Sequence, residues 1–376
     1  MTALVAVCLI LAFLLFLLNF LYNHFWNRNL TADIHFREPY AVEEERAVLQ
    51  EVIVNDKWLP LPVVEINFHM GKGLRFTEEA NTTVSDQSYR RDVFTLAMRQ
   101  KITRTLEFRC VKRGYYRIDE AGLMAQNLLM TRKYISALPQ NTEFFVFPKP
   151  VETSRIQIPF SRIMGSVLSR RKIYDDPFEF AGIREYSRSD PMKYINWKAT
   201  ARTGEMLVNM HESTLSQKVV LLLDLEGLGV PRWDVLNETA VCIACSLCER
   251  LLAAGVEIGV VSNGTDSISG KPLRVDSAQG TGSMLFLRKK FACLQAGNQL
   301  APLHELLEAQ RLWAGERKQE GGSLYVLISK EQGKQTAEDL SALAGKQSAV
   351  QIVPYLEEFP PEPEAPNNVQ LLPWLV

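Results

Sequence analysis

Charge of one sign is what this sequence has least of. Its 376 residues carry 42 Lys and Arg against 43 Asp and Glu, a formal net charge of -1. A dedicated nucleic-acid binder brings a basic surplus to meet phosphates, so the balance argues against that class. Histidine is scarce, at five, and no G-x-S-x-G occurs, which leaves serine-hydrolase chemistry without a signal. Cysteine is scarce as well: of six, Cys8 lies in an apolar N-terminal run, and Cys242, Cys245 and Cys248 crowd one segment. That spacing makes a poor disulfide framework and fits reduced thiols in a cytosolic compartment. Core material is plentiful, with 47% hydrophobic and 23% charged residues, which rules out a disordered tail or a disulfide-stapled miniature. At this length two or three domains are expected.

No charged side chain occurs from Thr2 to Tyr22. About 21 helical residues at about 1.5 Å each cover roughly 31 Å, the thickness of a bilayer's hydrocarbon core. A cleaved signal peptide would carry Lys or Arg before the apolar run and a small-x-small site after it. Here the run ends in Asn19-Phe20-Leu21-Tyr22, followed by His24-Phe25-Trp26. Residues 1–28 therefore read as an uncleaved, single-pass transmembrane anchor in the cell membrane, with the aromatics as an interfacial belt. The competing reading, a buried core helix, would need apolar neighbours on every side. Arg28 and Arg37 follow the span and no Lys or Arg precedes it, so the positive-inside rule places the bulk of the chain in the cytoplasm.

Residues 38–150 are rich in short alternating stretches. Val48 to Val54, Val63 to Phe68, Val93 to Leu96, Leu106 to Cys110 and Phe144 to Phe147 read as strands, with Gly71-Lys72-Gly73 and Lys112-Arg113-Gly114 as turns. A small β-sandwich is expected. Between Arg90 and Arg117 its strands carry nine Lys or Arg, either a solvated face or a basic surface leaning on anionic lipid. Residues 151–217, with Arg155, Arg162, Arg170-Arg171-Lys172 and Asp175-Asp176-Pro177, read as a linker.

From Lys218 the rhythm changes. Val219 to Asp224 is a continuous apolar run ending in a carboxylate, as a strand covered on both faces requires. Helices at Trp233 to Ala254, Ser283 to Gln295, Leu303 to Lys318 and Thr336 to Ala344 alternate with strands at Val256 to Ser262, Leu324 to Ser329 and Val350 to Tyr355. Residues 218–356 therefore predict a doubly wound α/β domain whose ligand face carries Asp224, Asn263 and Lys330 at the strand ends. The tail 357–376 opens acidic and Pro-rich, hence extended, and ends in apolar Val369 to Val376, able to dock back onto the fold.

The most informative segment runs from Gly182 to Arg202. Asp190-Pro191 reads as a helix start, the carboxylate capping free N–H groups and Pro losing no bond at the first position. Gly204 reads as its left-handed end. Within that helix Lys193 and Trp197 share a face, while Met192, Ile195 and Ala199 form the apolar side; Glu205 to Glu212 alternates like a strand.

Arg184, Glu185, Tyr186, Asp190, Ile195, Trp197, Lys198, Ala201 and Arg202 fall on the pattern R-E-Y-x-x-G-D-x-x-R-x-I-x-W-K-x-x-A-R. The segment thereby closely resembles the signature of domain-of-unknown-function family 58. Ser189 stands for the usual Gly and Lys193 for the usual Arg, and Lys112-Arg113-Gly114-Tyr115-Tyr116 is similar to the family's R-R-G-x-Y. The resemblance implies a membrane helix, a β-domain and an α/β domain similar to von Willebrand factor type A. It also implies a membrane-attached adaptor or assembly factor acting with MoxR-type AAA+ ATPases. Arg offers carboxylates a bidentate fork and Trp a large anchor. Three readings of the signature stay open: an internal clamp of linker on α/β domain, a partner surface, or catalysis.

The type A fold often holds Mg²⁺ through D-x-S-x-S, because a hard cation takes oxygen ligands. This sequence keeps Asp224 but has Glu226 and Leu228 at the serine positions and the cation Lys330 where another carboxylate is expected. Thr281 in Gly280-Thr281-Gly282 could serve, yet one carboxylate and one Thr do not make a metal site. Cys242-x-x-Cys245-x-x-Cys248 lies inside a helical stretch and reads as core packing. His304-Glu305-Leu306-Leu307-Glu308 lacks the second His of a zincin. Gly280 to Ser283 could hold an anion, but lacks the Lys of a phosphate loop. The sequence thus points to a non-catalytic protein without cofactor, working through protein contacts with a MoxR-type ATPase or another envelope protein. The alternative is a Mg²⁺-dependent ligand-binding module at Asp224.

Overall fold

The computed structural model describes residues 2–77, 82–84, 88–171, 180–187, 190, 192–211, 218–227, 229–280, 282–297, 299–316, 323–345, 347–357 and 366–376. The chain divides into two compact units, Met1–Lys149 and Pro150–Val376.

The first unit opens with helix α1 (Thr2–Phe25), in which Leu4–Phe25 is long and apolar enough to cross a membrane by length and composition. Strands β1 (Leu30–Phe36), β2 (Tyr40–Val42), β3 (Arg46–Asn55), β4 (Leu61–Met70) and β5 (Leu74–Phe76) follow. Then come β6 (Thr82–Val84), β7 (Ser88–Leu96), β8 (Gln100–Cys110), β9 (Gly114–Gln126) and β10 (Lys133–Phe147). They form one sheet in the order β1-β3-β8-β5 and a second in the order β2-β10-β9-β4-β7-β6. Pairing is antiparallel except between β2 and β10. Along β3 every second residue is buried, the mark of a strand with one face inward. Phenylalanines join the two sheets: Phe144 on β10 stacks on Phe36 of β1 at 4.6 Å and meets Phe108 of β8 edge-on at 5.4 Å. Each such ring removes apolar surface worth about 1.5–3 kcal/mol from water.

All five expected strands are present within longer ones. Three expectations for this unit need correction. The sandwich begins with β1 at Leu30, not at residue 38. Tyr22 and Trp26 do not form an interfacial belt: both are buried in the sandwich core. The Tyr22 hydroxyl donates to the Pro60 carbonyl at 2.7 Å, and Trp26 stacks on Tyr134 at 5.5 Å. Nor is the basic run one face. Arg90 and Arg104 both pair with buried Asp92, Arg91 pairs with Glu65, Arg117 with Asp119, and Arg113 is buried.

The second unit begins where a linker is expected, with helix α2 (Thr153–Arg171). Ile156, Ile163 and Val167 recur at helical spacing and join the unit's core, while Pro159 and the intervening Arg residues hide that periodicity in the sequence. Lys172 and Asp175-Asp176-Pro177 lie outside the described residues. A hairpin of β11 (Phe180–Glu185) and β12 (Leu207–His211) encloses helix α3 (Trp197–Thr203). The α/β part follows: β13 (Lys218–Leu223), α4 (Pro231–Ala253), β14 (Glu257–Asp266), β15 (Pro272–Ala278), α5 (Gly282–Cys293) and β16 (Leu294–Gln295). It is completed by α6 (Leu303–Glu316), β17 (Leu324–Ile328), α7 (Lys334–Ala344), β18 (Ala349–Tyr355) and β19 (Val369–Leu375).

The sheet runs β15-β14-β13-β17-β18-β19, parallel apart from β15, with β16 antiparallel against β14. Val219, Leu221 and Leu223 share a core with α2, α4 and α5, and Val220 and Leu222 share one with α6 and α7. Both faces are therefore covered, which is why β13 reads as a continuous apolar run. The docking expected of the chain end takes a definite form: Val369–Leu375 is a parallel edge strand of the sheet, so the α/β part extends past residue 356. Residues 358–365 of the Pro-rich tail lie outside the described residues.

Candidate functional site

The signature is built on the β11–β12 hairpin. Arg184 leaves β11 and closes a bidentate pair on Asp190, at 2.7 and 2.6 Å, while the Ser187 N–H donates to the same carboxylate at 2.8 Å. The Arg184 bonds, and then the Ser187 amide, hold the Asp190 carboxyl below the usual aspartate range. Asp190 thus staples a loop. It does not start a helix as the sequence predicts: Met192–Tyr194 is a single 3-10 turn, and Ile195 pairs with Val208 of β12. Pro191 and Ser189 lie outside the described residues.

Helix α3 starts only at Trp197, capped by Asn196, whose Oδ1 accepts from the Ala199 N–H at 2.9 Å. An N-cap Asn satisfies an otherwise orphaned donor. The Asn196 amide also donates to Asn209 of β12 at 2.7 Å, and Thr200 Oγ1 accepts from the Leu207 N–H at 3.0 Å, so helix and hairpin are one module. Gly204 ends α3 at φ 79°, as expected. Lys193 and Trp197 consequently do not share a helix face; Lys193 lies against the ring of Tyr194 at 4.7 Å.

Burial separates the readings of the signature. Trp197 is 65% exposed and Met192 68%. Glu185, Lys193, Lys198 and Arg202 are exposed as well, and Tyr186 is half-buried. An internal clamp would bury these side chains; here Ile195 and Val208 fill the small core beneath them. The module instead offers water a tryptophan, a methionine and three cations on a backbone fixed by its own bonds. The sequence pattern contains these residues, but not the exposure of Ile183, Met192 and Met206, which normally signals core.

The strand ends hold a different arrangement. Asp224 follows β13 and is buried; its Oδ1 accepts from the Asn263 amide at 2.9 Å and the Glu226 N–H at 3.1 Å. Its Oδ2 accepts from Ser329 Oγ at 2.8 Å and Lys330 Nζ at 3.3 Å. The Lys330 side chain is 4% exposed and also lies over the Trp233 ring at 4.7 Å. Asn263 passes the order on, accepting from the Leu225 N–H at 2.8 Å and donating to the Ala301 carbonyl at 2.9 Å. Burial, then the neighbouring Asp224 and Glu226 charges, push the Glu331 carboxyl up.

These residues do not fit a Mg²⁺ site. Both Asp224 oxygens are committed to protein donors, and a fixed ammonium stands where a divalent cation would be held. Among the described residues no group of three or more His, Cys, Asp or Glu side chains is placed to hold a metal. Thr281 and Leu228 lie outside the described residues. Cys245 and Cys248 are buried on α4, and burial pushes both thiols up, as core packing requires. His304 and Glu308 line a cleft between α6 and α7 with Leu307, Arg311, Gln335 and Asp339.

No family model and no curated protein matches the chain. Among solved structures it is similar to the CARDB domain of the PF1109 protein from Pyrococcus furiosus, in complex with di-metal ions. That likeness has 10% identity and a TM-score of 0.21, over 31% of this chain and 94% of that one. It is similar to a non-cellulosomal cohesin from Archaeoglobus fulgidus, at 10% identity and a TM-score of 0.21, over 31% of this chain and 91% of that one. The collagen binding subdomain of the Enterococcus faecalis surface protein ACE is a third, at 7% identity and a TM-score of 0.22, over 30% of this chain and 95% of that one.

Proposed function

We propose that the protein is a membrane-anchored, non-catalytic adaptor or assembly factor that grips a protein partner through the signature module. The observation that carries this reading is the exposure of Trp197 and Met192, with Lys193, Lys198 and Arg202 exposed as well, on a module held by the Arg184–Asp190 pair. A rigid aromatic anchor beside cations suits a partner surface with an apolar pocket and acidic rim. In keeping with the resemblance to domain-of-unknown-function family 58, the partner is a MoxR-type AAA+ ATPase. On the same reading the α/β part is a von Willebrand factor type A-like domain that works without a metal. Helix α1 then anchors the chain in the cell membrane, with its bulk in the cytoplasm.

The test is co-purification of the tagged full chain from gently solubilised native membranes, with Trp197→Ala and Arg184→Ala beside the wild type. Both side chains are outside the core, so the unit stays folded; Trp197→Ala removes only the anchor, while Arg184→Ala releases the loop that Asp190 staples. Loss of a central Trp anchor weakens binding by more than about tenfold, so an AAA+ ATPase recovered with wild type should vanish from the Trp197→Ala eluate. Undiminished recovery with both variants would remove the module from the contact.

A further inference from the structure

Three loops of the sandwich converge on the end of α1. The loop at 56–60 accepts the Tyr22 hydroxyl on the Pro60 carbonyl, at 2.7 Å. The loop at 97–99 is tied to it, the Arg99 N–H donating to the Lys57 carbonyl at 3.1 Å and Asn55 Nδ2 to the Ala97 carbonyl at 2.8 Å. The hairpin turn at 127–132 is pinned to the helix itself: Asn127 Nδ2 donates to Asn19 Oδ1 at 2.9 Å, while Asn127 Oδ1 accepts from the Thr131 and Arg132 N–H groups. A buried Asn therefore fixes both the shape of the turn and its place on α1.

These loop tips are apolar where loops are normally polar. Trp58, Met98, Leu128, Leu129 and Met130 are each between 44% and 62% exposed. Exposed Arg28, Arg99, Lys101, Arg132 and Lys133 lie in or next to these loops along the chain, against the one exposed carboxylate Asp56 in the 56–60 loop. Apolar tips with an excess of cations match an interface of acyl chains and anionic headgroups.

From Leu4 to Leu17 the helix stands clear of the sandwich, and from Leu18 on it is partly covered, so the sandwich meets α1 at the end to which the 127–132 turn is attached.

We propose that this end of the sandwich is a second membrane-contacting surface. The 127–132 turn places Leu128, Leu129 and Met130 among the acyl chains of an anionic bilayer, and the 56–60 and 97–99 loops rest at headgroup level. The proposal rests on the reading of α1 as a membrane anchor. It makes the sandwich a fixed collar on the membrane and not a body swinging on a tether.

The test uses the full chain with Cys8→Ser and Cys242→Ala, which leaves only the buried Cys110, Cys245, Cys248 and Cys293, and adds one exposed cysteine labelled with an environment-sensitive fluorophore. It is reconstituted in vesicles of phosphatidylcholine and phosphatidylglycerol. Leu129→Cys and Met98→Cys report on two separate loops, Phe16→Cys on the span, and Glu38→Cys on the far end of the sandwich. All four positions are exposed, so the core is untouched. The expected result is that brominated acyl chains quench the label at 129 by about half, as at 16, with little quenching by aqueous iodide; the label at 98 is partly quenched by both, and that at 38 by iodide alone. Labels at 129 and 98 open to iodide and blind to bromine, with 16 still quenched by bromine, would overturn the collar and leave the anchor standing. Iodide quenching at 16 would overturn the anchor reading and the collar with it.

Discussion

Glu51 points into the sandwich from β3, fully buried, with neither carboxylate oxygen hydrogen-bonded. Burial, then the charge of Asp92, push its pKa up to about 8. A carboxyl whose folded value lies above its unfolded one adds stability below the unfolded value and loses it as pH rises through the folded value. The unfolded reference here is 4.5, so the loss falls in a window from there to about 8. The wild type should unfold at a lower temperature at about pH 9 than at about pH 5, and Glu51→Gln should shrink that gap, since an amide has no charge to desolvate. Thermal scans of both proteins in detergent at the two pH values check this; an unchanged gap would show that Glu51 does not titrate between them. Nothing in Val48-Leu49-Gln50-Glu51-Val52 marks Glu51 as the inward residue except the parity of the strand, and a period-two pattern would assign it to solvent only if Leu49 and Ile53 were ignored. Asp224 is the opposite case. Its place after an apolar run made it conspicuous, but the four donors that consume it come from residues up to 106 positions away.

Helix α3 shows how a local pattern misleads at the scale of an element. Asp190-Pro191 has the chemistry of a helix start, yet Arg184 takes the Asp190 carboxylate and the helix waits for Asn196. The competitor is six residues upstream on another strand, beyond the reach of a capping rule. The C-terminal end is legible because its requirement is local: Gly204 sits at φ 79° with open space around it. Gly204→Ala should therefore cost about 1 kcal/mol from backbone strain alone, without a clash. Hydrogen exchange of the amides from Thr200 to Gly204 reads this directly, and unchanged protection would mean that the hairpin, not the cap, holds the helix end. Strands β13, β17 and β18 were readable for the same reason of self-sufficiency: burial on both faces writes an uninterrupted apolar run. Helix α2 was not, because Pro159, itself buried on the stripe of Ile156, Ile163 and Val167, reads in the sequence as a helix breaker.

At the scale of the whole molecule, order along the chain was visible and closure was not. A helix, a sandwich and an α/β body can be read in sequence from changes of period, but the partner of the last strand cannot. Residues Val369 to Leu375 pair in parallel with Ala349 to Tyr355, residue for residue. Trp374 enters the core of the sheet. The Arg155 guanidinium lies 4.6 Å from its ring and bonds the Leu375 carbonyl, so the final strand also holds the start of α2. A chain ending before Pro366 would lose that Trp burial, at a cost of about 3–5 kcal/mol, and would leave β18 as an unprotected edge. Peptide-resolved hydrogen exchange should then show protection falling over 349–355 and 153–167, with 133–147 of the sandwich unchanged because its core is separate. Equal protection in the full and shortened chains would mean that β18 and α2 are held without the strand. Loss spreading into 133–147 would mean that the two cores unfold together.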